Sequence, residues 1–212
     1  MCRRLLIAAM AGACAAGGCS GLRFLGYVVA PDGPTKTVQA EFDGLPGSRL
    51  AVVIYTDESI DCDYPGTRLE VSLVLAEELR RKIPKVHVVE PRSIIKYQDT
   101  NIYWDAMDKT GLGKLFDARY VLLVSLMEFS TREPGSMNLY RGRVVAEASL
   151  YDVSRPEPQA RVWHCDSLRV LFPPEATTGQ LGRSDRDIRY QTERLFAEML
   201  VGKFYKHKVP SA

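Results

Sequence analysis

The chain has 212 residues, 46% of them hydrophobic, and a formal net charge of +2. That length suffices for one substantial core, and Arg3 and Arg4, which account for the excess charge, sit at the very start. Without them 26 basic residues face 26 acidic ones, a balance that argues against a nucleic-acid footprint or an electrostatic membrane patch.

Met1-Cys2-Arg3-Arg4 is a short cationic region, Leu5 to Ala16 is apolar and rich in small residues, and Gly17-Gly18 precede Cys19-Ser20. Charged, apolar and small-residue segments in this order make a secretory leader, too short in its apolar part to remain as a membrane span. Ala16-Gly17-Gly18-Cys19 resembles the lipobox of bacterial lipoproteins, although Ala16 stands where Leu is usual. The resemblance implies a diacylglyceryl group on the Cys19 thiol, cleavage after residue 18 and acylation of the new amine. Ordinary signal-peptidase cleavage near Ala16 is the alternative. Several acyl chains would hold the protein on a membrane essentially permanently. Ser20 after the cysteine resembles lipoproteins sorted to an outer membrane. The expected address is therefore the bacterial envelope, lipid-anchored and facing the periplasm.

Residues 19–48 are expected to form a tether, punctuated by Pro31, Gly33, Pro34, Pro46 and Gly47. Thr35 to Phe42 alternates modestly, as an edge strand would. One α/β domain is predicted over 49–206, with a tail at 207–212. Leu50 to Tyr55 is an apolar run of strand length, and Thr56–Gly66 reads as a loop. Thr67 and Glu70 have capping-box spacing. They open a helix whose stripe is Leu69, Leu73, Ala76, Leu79 and Ile83, and Pro84 stops it. Val86–Val89 is a second strand, parallel to the first through a right-handed crossover. Short helices follow at Pro91–Tyr97 and at Trp104–Phe116, the latter broken near Gly111 and Gly113.

Ala118–Phe129 is the organising strand. Val121–Val124 does not alternate with polar residues, so both its faces should be covered, and it belongs in the middle of a sheet. After the turn at Glu133–Ser136 comes a strand to Val153 with Val145, Ser149, Tyr151 and Val153 on one side. Arg161–Phe172 makes a further strand, so two hairpins extend the sheet antiparallel. Its facing is ambiguous: Trp163, Cys165 and Leu171 define one face, Val162, Leu168, Val170 and Phe172 the other. A final helix from Asp185 to Tyr205 carries Ile188, Leu195, Phe196, Met199 and Leu200. The predicted fold is thus a mixed α/β sheet, its parallel strands from β-α-β units, with helices packed on it and a C-terminal helix.

Leu112-Gly113-Lys114-Leu115-Phe116-Asp117-Ala118-Arg119-Tyr120-Val121-Leu122, with Ala148-Ser149-Leu150-Tyr151-Asp152-Val153 and Trp163 downstream, resembles a known module. The similar groups are the curli-secretion lipoproteins (CsgG), the TolB amino-terminal domain and the lipoprotein activators of penicillin-binding proteins. The resemblance covers about residues 48–205 and implies a fold more than a function. The long membrane-inserting hairpins of the curli channel have no counterpart, since Ser130–Leu139 is only a turn, and no propeller sequence follows. Neither pore formation nor TolB's own role is implied.

For catalysis the chain offers little. His87, His164 and His207 lack neighbours at metal-ligand spacing, Thr110–Lys114 lacks the spacing of a P-loop, and no Gly-x-Ser-x-Gly elbow occurs. Asp57, Glu58, Asp61 and Asp63 form a dense carboxylate group, suited to calcium or to acid–base work; a solvated acidic loop is the simpler reading. No metal or cofactor is expected. Cys62 and Cys165, the cysteines after Cys19, either pair in an exported compartment or remain isolated thiols. Partner binding is expected where the parallel strands end, at Asp57, Glu58, Asp61, Tyr64, Met137 and Tyr140; merely soluble turns are the alternative. The expected role is non-catalytic: a membrane-anchored lipoprotein that binds or positions another cell-envelope component, with an envelope protein as the expected partner. An oligomeric structural part of an export machine and an envelope hydrolase are the alternatives.

Overall fold

A computed structural model describes residues 35–174 and 178–210, so the leader and Cys19 lie outside the described residues. The strands are β1 (Thr35–Val38), β2 (Arg49–Thr56), β3 (His87–Val88), β4 (Tyr120–Arg132), β5 (Tyr140–Asp152), β6 (Arg161–Phe172) and β7 (His207–Pro210). The helices are α1 (Glu58–Asp63), α2 (Thr67–Lys82), α3 (Pro91–Thr100), α4 (Lys109–Leu115) and α5 (Asp185–Val201). β1 and β7 form a two-stranded sheet. One compact unit runs from Val38 to His207.

Within the larger unit the sheet order is β3-β2-β4-β5-β6. β2 pairs parallel with β3 and β4, while β4–β5 and β5–β6 are antiparallel. The apolar run Val121–Val124 thus lies in the central strand. Val121 faces one cluster and Leu122 the other, and both are fully buried. Beyond Leu126 the strand is covered on one face only, with Met127 exposed and Phe129 buried.

The main core lies under α2 and α5. Leu50, Val52, Ile54, Leu122, Val124, Ala146, Ala148 and Leu150 meet Leu75, Leu79, Phe196 and Leu200 there. The second cluster, on the opposite face, joins Ala51, Val53 and Val121 to Ile94, Trp104 and Leu112. Val145, Ser149, Tyr151 and Val153 do share a side of β5. It is the side away from the main core, and Tyr151 and Val153 pack on the second cluster.

Several local expectations need correction. The loop expected at Thr56–Gly66 contains α1, whose N-cap is Asp57. α2 starts without a capping box: its N-cap is Gly66 at φ 85°, a left-handed conformation that disfavours side chains, and Thr67 Oγ1 donates instead to Tyr64 O at 2.6 Å. Its buried stripe is Val71, Ser72, Leu75, Ala76 and Leu79, which leaves Leu69 and Leu73 half-buried. Gly111 and Gly113 lie inside α4 and do not break it. Gly113 is where the helix touches the sheet: a Cβ there would stand 2.2 Å from Val153 Cγ2 and 2.8 Å from Val121 Cγ2.

The ambiguous facing of β6 has a physical cause. Ala148 pairs with Cys165 and Ala146 with Leu168, so a bulge at Asp166-Ser167 interrupts the alternation. Trp163 before it and Leu168 and Val170 after it all reach the main core. The last helix ends at Val201 and continues as a 3-10 turn, Gly202–Phe204. Its buried face is Ile188, Thr192, Glu193, Phe196, Ala197 and Leu200, with Met199 exposed.

Candidate functional site at the carboxyl edge of the parallel strands

The carboxyl ends of β2 and β4 do share an edge, but β4 continues six residues past Leu126, the partner of Thr56. At about 3.3 Å per residue the β4–β5 hairpin rises roughly 20 Å further. Met137, 80% exposed, sits in the turn that closes this hairpin. It therefore belongs to a different part of the surface from Asp57 and Glu58. Asp57, Glu58, Asp61 and Tyr64 belong to α1 and its caps, and Tyr64 reaches β4 at Thr131, next to the Arg132–Tyr140 pair, whereas Met137 lies in the turn beyond them.

Most of them work on the fold itself. Asp57 Oδ1 accepts from Ile60 N at 2.9 Å and from Ser59 Oγ at 2.8 Å. These bonds, the Ile60 N–H first, hold its carboxyl below the usual carboxylate range. Asp61 accepts from Thr56 Oγ1 at 2.7 Å and lies 3.5 Å from Arg68 Nε. The Tyr64 ring stands edge-on to Phe129 at 5.1 Å, and its hydroxyl accepts from Thr131 N at 3.3 Å. Tyr140 exchanges backbone bonds with Gln180 and lies under the Arg132 guanidinium at 5.6 Å. Glu58 is exposed on the first turn of α1. Cys62 on α1 is exposed, Cys165 on β6 is half-buried, and both are free thiols.

A segment that sequence reasoning passed over is at this edge instead. β3 has only two residues, so α3 runs along the uncovered flank of β2 until Gln98 Nε2 donates to Ile54 O at 2.9 Å. Arg68 then bridges Asp61 to Asp99, 3.0 Å away on α3. Residues Asn101 to Met107 follow, with Ile102 74% and Tyr103 77% exposed. Trp104 is buried, its ring 6.1 Å from that of Tyr55 at the end of β2.

This loop is pinned. Lys109 Nζ donates to Asp105 O at 2.6 Å and to Met107 O at 2.9 Å, and burial pushes its ammonium below the usual lysine range. The Tyr97 hydroxyl stands 3.0 Å from Met107 Sδ. Large side chains thus stand exposed on an anchored loop, with the carboxylates of Asp99 and Asp105 on either side of them in the chain, as contact surfaces often have them. The available signal was the Ile-Tyr-Trp run between two helical stretches.

Among the described residues no group of three or more His, Cys, Asp or Glu side chains could hold a metal ion. Ser149 Oγ lies 2.8 Å from His164 Nδ1, and His164 Nε2 lies 2.7 Å from Asp166 Oδ1. The residue types are those of a hydrolytic relay. The serine, however, is buried in mid-strand. No helix among the described residues is long and apolar enough to cross a membrane.

No family model and no curated protein matches the chain. Among solved structures it is similar to a PelC dodecamer from Paraburkholderia phytofirmans: 16% identity, TM-score 0.48, covering 82% of this chain and 99% of that one. It is also similar to lipoprotein GNA1162 from Neisseria meningitidis, with 18% identity and TM-score 0.39, covering 59% of this chain and 80% of that one. The LpoB C-terminal domain from Salmonella enterica gives 18% and 0.39, with 61% and 87% covered. No residue role is carried over from them.

Proposed function

We propose that the chain is a lipid-anchored, non-catalytic protein of the bacterial envelope that positions a protein partner on the Asn101–Met107 loop. The leader and the Ala16-Gly17-Gly18-Cys19 junction support the anchor, with the outer membrane, periplasmic side, as the address. The strand–helix–strand order fits the fold group of envelope lipoproteins that the sequence resembles. One observation carries the binding role: Ile102 and Tyr103 stand exposed on a loop fixed by Lys109 and Tyr97. An apolar centre with a carboxylate rim suits a partner surface that is apolar at its middle and basic around it.

Two measurements test the two halves separately. After Triton X-114 partitioning the wild type is expected in the detergent phase and Cys19→Ala in the aqueous phase; equal partitioning removes the anchor. A photo-crosslinker at position 103 should trap one partner in intact envelopes. One at position 190, on α5, should not, and Asp99→Lys with Asp105→Lys should abolish the product. Indistinguishable products from 103 and 190 would remove the binding site.

A further inference from the structure

On the far side of the main core, between α2 and α5, lies a hollow of about 570 Å³, within the size range of small-molecule sites. Leu168, Leu195 and Met199 supply its apolar lining, and Glu78, Arg81 and Glu198 its charged wall. Glu78 is only 7% exposed. A guanidinium normally spends one N–H on each oxygen of a carboxylate. Here Nε and Nη2 of Arg81 both donate to Oε2 of Glu78, the former at 2.8 Å. Oε1 is thereby left buried with no hydrogen-bond partner among the described residues, an arrangement that favours any donor able to reach it.

The other charges of the wall are engaged. Arg81 lies 3.8 Å from Glu198, Lys203 bonds Glu41 at 2.7 Å, and Lys82 stands over the Tyr205 ring. None of these cations bonds Glu78 Oε1. We infer that the hollow binds a primary ammonium carried on an unbranched apolar chain, with the ammonium donating to Glu78 Oε1 and the chain lying along Leu168, Leu195 and Met199. This inference is independent of the Asn101–Met107 loop, which does not border the hollow.

The test is calorimetric titration of the full chain, in mild detergent with matched blanks, with pentylammonium and with pentanol. Pentylammonium is expected to bind saturably and at least tenfold more tightly than pentanol. Glu78→Gln should weaken it at least tenfold. Met199→Trp, which fills the apolar lining and leaves the carboxylate alone, should do the same; it decides the matter if Glu78→Gln fails to fold. Equal binding of amine and alcohol, no binding of either, or wild-type affinity in a folded Glu78→Gln protein would overturn the assignment.

Discussion

The two faces of the sheet are covered to different extents. One carries α2 and α5 over strands β2, β4, β5 and β6 and holds the large cluster. The other carries α3 and α4 over the start of β2 and β4 and the end of β5. It leaves Met127, Asp166 and Arg169 exposed and Glu147 and His164 half-buried. The closed face explains why the domain folds. The half-covered face explains where large side chains can be spared for contact, because Ile102 and Tyr103 follow the helix that covers it.

The comparison is broken most severely by emptying each cluster in turn. Phe196→Ala in the large cluster should cost about 4 kcal/mol, and Ile94→Ala in the small one about 3 kcal/mol. The distinguishing measurement is native-state hydrogen exchange. Phe196→Ala should lower protection in every strand. Ile94→Ala should open α3 and α4 first and leave β5 and β6 near wild type. Uniform loss in both variants would mean that the faces do not differ in cooperativity.

How far these faces were legible from sequence follows from the same asymmetry. The central strand was legible because Val121–Val124 is covered on both sides, which removes alternation. The face of β6 was not, because two bulge residues, Asp166 and Ser167, shift the phase midway. The stripe of α2 was misplaced because it includes Thr67, Ser72 and Glu78, polar residues that are buried by their hydrogen bonds or ion pairs. Gly113 looked like a helix break, but its missing Cβ is what lets α4 touch Val121 and Val153. The carboxyl edge was predicted as a place, yet only Glu58 of its expected residues is both exposed there and outside the α1 bonding pattern. The Ile102-Tyr103 loop was hinted at only by its Ile-Tyr-Trp run, which does not say where in the fold the loop lies.

The closed face also buries a carboxyl group. Glu193 is almost fully buried where α5 crosses α2; Arg189 Nε is 3.4 Å from Glu193 and 2.6 Å from Glu70. The same guanidinium bonds Thr67 Oγ1 at 2.9 Å. Burial, then the Glu70 carboxylate, push the Glu193 pKa from 4.5 up to about 7 against the opposing pull of Arg189. The folded protein therefore keeps a proton that the unfolded chain loses near 4.5. The contribution is fully present below that value and is lost as pH rises to 7, by about 3 kcal/mol in all. Urea midpoints between pH 4.5 and 7.5 should fall with rising pH in the wild type. Glu193→Gln should flatten that slope, and a slope unchanged in the variant would assign it elsewhere.

The smallest effects belong to the open half of the second face. Ser149 Oγ and the His164 ring share a hydrogen bond there, and Asp166 takes the other ring nitrogen. The imidazole is half-exposed and Asp166 is almost wholly in water. Solvent can therefore replace Asp166, and exposed pairs of this kind contribute little. Asp166→Asn should change stability by less than about 0.5 kcal/mol. Ser149→Ala deletes a buried hydroxyl but leaves His164 able to turn its freed nitrogen to water, so about 1 kcal/mol is expected. The contrast with Phe196→Ala is fourfold or more, within one sheet and across one layer of strands. If Ser149→Ala instead cost as much as the core truncations, the hydrogen-bonded chain would have to be fastening β5 to β6. The second face would then be a structural layer in its own right, with no part of it spare for a partner.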